Sequence, residues 1–284
     1  MHALAIRSRS AGVPGRALAM LVVLVVGLAA VFVVAPPRLA ATGPTRDLAD
    51  QERLVAEFRA GVVGYWFSGD RNLSPDLQRV VDYWFRFHLV KGGTAALLLL
   101  VLCALTVLLW RTFLRADGLG TVGRAVLASA GGAVSMLALF ALAVVVANVQ
   151  GAMAPFASLL PLLMEDPTDA GLAGPLAEAR QQLTDTHRSG GFTPPALDAM
   201  VSDFAWYHAA LALQAAVVLV GLVGLSVMMW RRFARAGRPA RLVWGWFGAF
   251  SALSSLMMAV ILVANAGTAM DPAPALLALF NGGF

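Results

Sequence analysis

The sequence predicts an all-α membrane protein with five transmembrane helices, and three observations lead to this prediction. First, 59% of the 284 residues are hydrophobic and only 13% are charged, whereas soluble domains are about 45–50% apolar and about 25% charged. Second, five apolar runs have the length of a membrane span. Third, the chain after the first run repeats itself, which indicates a duplicated unit.

The five apolar runs come close to the roughly 20 residues that cross a hydrocarbon core about 30 Å thick. Short cytoplasmic segments retain Arg and Lys, so the charges beside the runs indicate their orientation. With the N-terminus inside, the cytoplasmic side receives eleven arginines and one carboxylate, Asp117, while the other side receives ten cations and fifteen carboxylates. We therefore expect the N-terminus in and the C-terminus out, with spans at residues 17–35, 89–110, 125–149, 209–230 and 242–266.

The basic residues do not indicate a nucleic-acid partner. They are divided among short loops and the N-terminal tail, as membrane topology requires, and form no single basic surface. The one cysteine, Cys103, lies in an apolar run. A disulfide within the chain and a cysteine-based metal site are therefore excluded.

Residues 1–40 are predicted to form a basic cytoplasmic tail and the first transmembrane anchor. The alternative is a secretory signal peptide, because a basic start and an apolar stretch precede "APPRLAATG", which contains the small residues Ala40 and Ala41. The apolar run is about 18 residues long and exceeds the usual signal-peptide core. The sequence therefore favours an uncleaved anchor.

The rest of the chain reads as two copies of one unit. "VANVQGAMAP" at 146–155 returns as "VANAGTAMDP" at 263–272, and an offset of 120 aligns 74–116 with 194–236 without a gap. Leu, Val and Ala composition cannot explain why "WRTFLRA" closes one aligned segment and "WRRFARA" the other. We predict repeat 1 at 41–164 and repeat 2 at 165–284, each an outer helical segment followed by two spans.

Two spans per unit give both copies the same orientation. They should form a bundle with a pseudo-twofold axis along the membrane normal, and the anchor helix beside it. The outer segment of repeat 1, "DQERLVAEFRAGVVGYWF", predicts an amphipathic helix. Its counterpart "GPLAEARQQLTDTH" is more polar, and a shorter helix is expected there. The apolar face of the first helix comprises Leu54, Val55, Phe58, Val62, Tyr65 and Trp66.

Four polar residues at the outer ends of the spans are the candidate site. His88 and His208 are equivalent in the repeats, as are Asn148 and Asn265. We expect the two imidazoles to face each other within one helix diameter, about 10 Å, with the asparagines completing a polar cluster. Axial haem ligation or a shared metal site would need their ring nitrogens about 4 Å apart. The alternative is structural: such a histidine anchors a helix or bonds a neighbour, and a terminal asparagine caps.

The sequence gives little support for ion-coupled transport or for catalysis. Lys91 is the one charged residue within a predicted span, whereas pumps and coupled transporters use intramembrane charges. No Walker, HExxH, GxSxG or CxxC motif occurs, and no catalytic residue is predicted. The leading prediction is a non-catalytic membrane protein that senses, scaffolds or binds a partner through its outer segments, which are too long for mere connections. A haem- or metal-binding protein and a small-solute transporter are the alternatives.

The strings "DYWFRFH", "ANVQGAMAPFASLLP" and "TPPALDAMVSDFAWYH" resemble actinobacterial multi-pass integral membrane proteins of unassigned function, often labelled only by a Tat signal. The resemblance covers most of the chain and implies a location in the bacterial plasma membrane. The expected surroundings are the lipid bilayer, and the long outer segments favour an extracytoplasmic protein or a second copy as partner. The resemblance supplies no catalytic residues, and Ser8 separates Arg7 from Arg9, so the N-terminal segment has no twin-arginine pair.

Overall fold

The computed structural model describes residues 15–115, 120–165, 170–189 and 193–283, and within them the chain is helical with no strand. This confirms the predicted all-α class. The 3₁₀ helices are η1 (Gly43–Ala49) and η2 (Leu160–Met164). The α-helices are α1 (Gly15–Ala40), α2 (Gln51–Ser68), α3 (Pro75–Arg115), α4 (Thr121–Met153), α5 (Pro155–Leu159), α6 (Ala170–Ser189), α7 (Pro195–Arg235), α8 (Arg238–Met270) and α9 (Ala273–Phe280).

Five of these helices, α1, α3, α4, α7 and α8, are long and apolar enough to cross a membrane. The number agrees with the five predicted spans. In each helix the most apolar window is at most 28% buried by protein. The remaining apolar surface needs an apolar solvent, and in a helix the backbone polar groups are already satisfied within the segment.

Helices α3 and α7 are longer than a span requires. Each has 41 residues, about 60 Å at 1.5 Å per residue, so each continues beyond the apolar run that it contains. Pro75 and Pro195 occupy the first turn of these helices, where a missing N–H costs nothing. Asp76 and Asp198 follow in the same turn and favour the positive end of the helix dipole.

The described chain divides into two compact units. The smaller unit contains the described residues of 15–34 and 93–145, and its core is formed by Leu102 of α3 with Ala138 and Ala141 of α4. Small residues at this contact allow the two helices to approach closely. The larger unit contains Ala35–Gly92 and Val146 onward, and it holds most of the buried side chains.

The core of the larger unit belongs to a folded helical domain. We define the helical domain as the described residues of 40–87, 154–207 and 273–280, which combine η1, α2, α5, η2, α6 and α9 with the first turns of α3 and α7. Phe58, Tyr65, Tyr83 and Phe280 are fully buried in it. The Tyr65 hydroxyl donates to Arg71 O at 2.8 Å, and burial raises the pKa of this phenol. The polar segments therefore fold around an aromatic core and are not simple connections.

Helix α2 has the face that the sequence predicts. Leu54, Phe58, Val62 and Tyr65 are buried, and Val55 and Trp66 are partly buried. The helix begins where the Asp50 side chain accepts a hydrogen bond from Arg53 N at 2.9 Å. It ends at Gly69, whose φ of 69° is the left-handed conformation that favours glycine.

The prediction of a shorter outer helix in repeat 2 is wrong. Helix α6 has 20 residues, two more than α2, and it begins at Ala170 instead of at the Gly174–Pro175 pair. Pro175 lies inside the helix because Leu172, on its N-terminal side, is buried in the domain core. Burial of this side chain stabilises a turn that the local sequence disfavours.

Candidate functional site

The four predicted site residues form two pairs, and each pair joins the two long helices of one predicted repeat. In repeat 1, His88 Nδ1 of α3 lies 3.1 Å from Asn148 Oδ1 of α4. In repeat 2, His208 Nδ1 of α7 lies 2.8 Å from Asn265 Oδ1 of α8. Joint ligation of one cofactor by both histidines stays a prediction.

The second pair also defines the tautomer of its histidine. Asn265 Nδ2 donates to Ile261 O at 2.8 Å, so the amide oxygen faces the imidazole. An amide oxygen only accepts, and therefore His208 Nδ1 carries the proton in this contact.

The environment of His88 is closed. Its Nε2 atom is buried and has no hydrogen-bond partner among the described residues. The ring lies directly against Gly151, since a Cβ built there would come within 2.5 Å of Nε2 and 2.6 Å of Cε1. Any other residue at position 151 would displace the imidazole. A haem iron or metal ion needs about 2 Å to a nitrogen with open space beyond it, and an enclosed Nε2 does not fit that requirement.

Gly151 is a residue that sequence reasoning missed. It stands three positions after Asn148 within the repeated string, but repeat 2 has Thr268 at the equivalent position. Thr268 instead bonds Ala264 O of its own helix at 3.2 Å. Because repeat 2 has no glycine at this position, comparison of the two repeats did not single out Gly151.

The opposite ends of the long helices also carry equivalent contacts. Gly131 of α4 faces Trp110 of α3, and a Cβ on this glycine would lie 3.0 Å from the indole. Gly248 of α8 faces Trp230 of α7 in the same way, at 3.1 Å. In both places glycine lets an indole approach the neighbouring helix closely.

A second pair of equivalent contacts adjoins these tryptophans. Phe113 packs edge-on against Trp110 with 5.6 Å between ring centroids, and Arg124 lies 5.2 Å above the Phe113 ring. Phe233 packs against Trp230 at 5.4 Å, and Arg241 lies 4.9 Å above the Phe233 ring. Each arginine is thereby held against an aromatic face.

The helical domain contains an open cleft of about 700 Å³. This volume lies within the range of about 300–1,000 Å³ that is typical of ligand sites. Helix α2 supplies most of the described lining, including Val55 and Val63, and the lining residue Arg59 donates to Leu162 O at 3.0 Å. The described lining residues are Gln51, Glu52, Val55, Ala56, Arg59, Ala60, Val63, Glu165 and Gly171.

The described residues contain no group of three or more His, Cys, Asp or Glu side chains able to hold a metal ion. Comparison with known proteins finds no family model, no curated protein and no solved structure that matches this chain. The resemblance stated from the sequence therefore stays a prediction, and the site has to be interpreted from its own geometry.

Proposed function

We propose that this chain is a non-catalytic multi-pass protein of the bacterial plasma membrane that binds a protein partner through its helical domain. The observation that carries the proposal is the cleft beside a well-packed core. Leu54, Phe58 and Tyr65 anchor one face of α2, while Val55 and Val63 on another face line the cleft. A rigid helix that leaves an apolar stripe open is the usual arrangement for a docking site.

We also propose that the helical domain is extracytoplasmic, with the N-terminus in and the C-terminus out. The distribution of arginines supports this orientation. The helical domain holds the described carboxylates of the chain except Asp271, whereas every charged residue from 231 to 241, where α8 follows α7, is an arginine.

We also propose that the two pairs of long helices, α3–α4 and α7–α8, arose by tandem duplication. The helices of each pair have matched lengths, 41 and 41 residues for α3 and α7 and 33 and 33 for α4 and α8. The His–Asn bond at one end and the Trp–Gly contact at the other recur in both pairs. Two unrelated hairpins would have no reason to share contacts at both ends.

In this proposal the histidines hold helices together and do not carry a cofactor. A hydrogen bond between two spans is worth about 0.6 kcal/mol on average and up to about 2 kcal/mol. The enclosed Nε2 of His88 supports the structural role, because a ligand would have to separate the ring from Gly151.

Site-specific photo-crosslinking in the native host tests the proposal. A benzophenone amino acid at Val63, inside the cleft, should yield a discrete adduct of higher mass. The same group at Asp76, whose side chain is 86% exposed on the same domain, is the matched control and should not. Filling the cleft with Ala60→Trp should abolish the Val63 adduct. No adduct at Val63, or one that persists in the filled variant, would contradict partner binding at this cleft.

A further inference from the structure

The connection between α7 and α8 is unusually basic. Residues 230–241, "WRRFARAGRPAR", contain five arginines and no carboxylate. The equivalent residues 110–124, "WRTFLRADGLGTVGR", contain three arginines and Asp117. Short cytoplasmic loops carry an excess of Arg and Lys in general, and the α7–α8 connection exceeds its counterpart by three units of net charge, +5 against +2.

Tryptophans place this connection at the level of lipid headgroups. Trp230 packs on Gly248, and Trp246, one turn from the start of the apolar part of α8, is 76% exposed. Exposed tryptophans on spanning helices prefer the membrane–water interface. Arg231, Arg232 and Arg235 are exposed in the last turns of α7, immediately beyond Trp230.

Two guanidinium groups at this connection are held by aromatic rings. Arg232 lies 5.0 Å above the Trp244 ring, and Arg241 lies 4.9 Å above the Phe233 ring. Stacking covers the flat face of a guanidinium and leaves its N–H edge free for two hydrogen bonds to a phosphate. The ion pairs given by the described residues join Arg53, Arg71 and Arg79 to carboxylates of the helical domain.

We propose that the α7–α8 connection binds the phosphodiester headgroup of an anionic phospholipid. Arg232 and Arg241 supply oriented N–H donors, and the neighbouring arginines add positive potential. The membrane itself presents this ligand at the depth of Trp230 and Trp246. The proposal rests on the proposed function only in placing this connection at the membrane surface.

Native mass spectrometry of the full-length protein in an uncharged detergent tests the proposal. Phosphatidylglycerol, phosphatidylcholine and inorganic phosphate are titrated separately at equal ionic strength. Phosphatidylglycerol should bind saturably and at least about tenfold more tightly than phosphatidylcholine, since the charges near the surface add attraction for the anion. Inorganic phosphate should not displace it at equal concentration, because it lacks the acyl chains.

Variants locate the site. Arg232→Gln with Arg241→Gln should weaken phosphatidylglycerol binding about 10- to 30-fold, and the corresponding lysine pair should give an intermediate loss because it retains charge without the planar fork. The control Arg111→Gln with Arg115→Gln removes the same charge from the other connection and should change binding less than about twofold. Thermal unfolding in phosphatidylcholine verifies that each variant folds.

Three results would overturn the proposal: equal affinity for the two lipids, equal loss in both variant pairs, or inorganic phosphate that binds as tightly as the lipid. Each of them leaves the crosslinking result at Val63 unaffected. Failure of lipid binding and failure of partner binding are therefore distinguishable.

Discussion

Asn148 of α4 bonds His88 of α3 across 60 residues of sequence, with 3.1 Å between Oδ1 and Nδ1. Asn148 is buried, so its side chain has little contact with solvent. A buried polar group that loses its partner costs about 1–3 kcal/mol. The pair therefore contributes to the stability of the α3–α4 contact.

A double-mutant cycle measures this contribution. We expect His88→Phe and Asn148→Leu each to lower the free energy of unfolding, and the double variant to lose less than the sum. The coupling should be about 0.5–1.5 kcal/mol, measured by denaturant unfolding in detergent. The corresponding cycle with His208→Phe and Asn265→Leu is the internal comparison. Additive losses within about 0.3 kcal/mol would mean that the bond stabilises nothing.

Gly151→Ala should destabilise the protein by about 1–3 kcal/mol, because the new methyl group would overlap the His88 ring. Gly267→Ala is the matched control. It lies at the corresponding level of α8, and a Cβ there would meet nothing within 4 Å. Alanine is a better helix former than glycine, so the control should be neutral or stabilising by up to about 1 kcal/mol. If the Gly151→Ala variant unfolds at the same temperature as the wild-type protein, the close contact with His88 is refuted.

The first helix should remain attached after membrane insertion. The signal-peptide alternative places a cut beside Ala40 and Ala41, yet Ala40 is fully buried and its carbonyl accepts a hydrogen bond from Arg86 Nε at 3.1 Å. Arg86 also donates to Thr45 Oγ1 at 3.2 Å. The intact mass of the protein isolated from membranes should include residues 15–40. A mass that corresponds to a chain starting at residue 41 or 42 would establish cleavage.

The number of spans predicts the location of the C-terminus. With five spans and the N-terminus in the cytoplasm, a reporter fused after Phe284 lies outside. We expect an alkaline phosphatase fusion there to be active and a green fluorescent protein fusion to be dark, while fusions after Arg235 show the reverse. The opposite pattern at both positions would mean that the topology is inverted. The same result at both positions would mean that α8 does not cross the membrane.

Sequence alone predicted the properties that depend on neighbours along the chain. The length of each apolar run determines whether it can span a membrane, and the period of Leu54, Phe58, Val62 and Tyr65 determines the buried face of α2. The predicted equivalence of His88 and His208 comes from aligning the chain with itself. Each of these readings requires only the residue order within one segment.

Contacts between distant segments required the tertiary structure. The sequence predicted that His88, His208, Asn148 and Asn265 form one polar cluster, with the two imidazoles facing each other. The structure shows two hydrogen-bonded pairs, each joining a histidine to the asparagine of its own pair of helices. The length of α6 was predicted wrongly because burial of Leu172 outweighs the local preference at Pro175. Gly151 had no recognisable role until an imidazole lay against it. Local patterns report propensity and hydropathy, whereas the partner of a side chain is decided by how the helices pack.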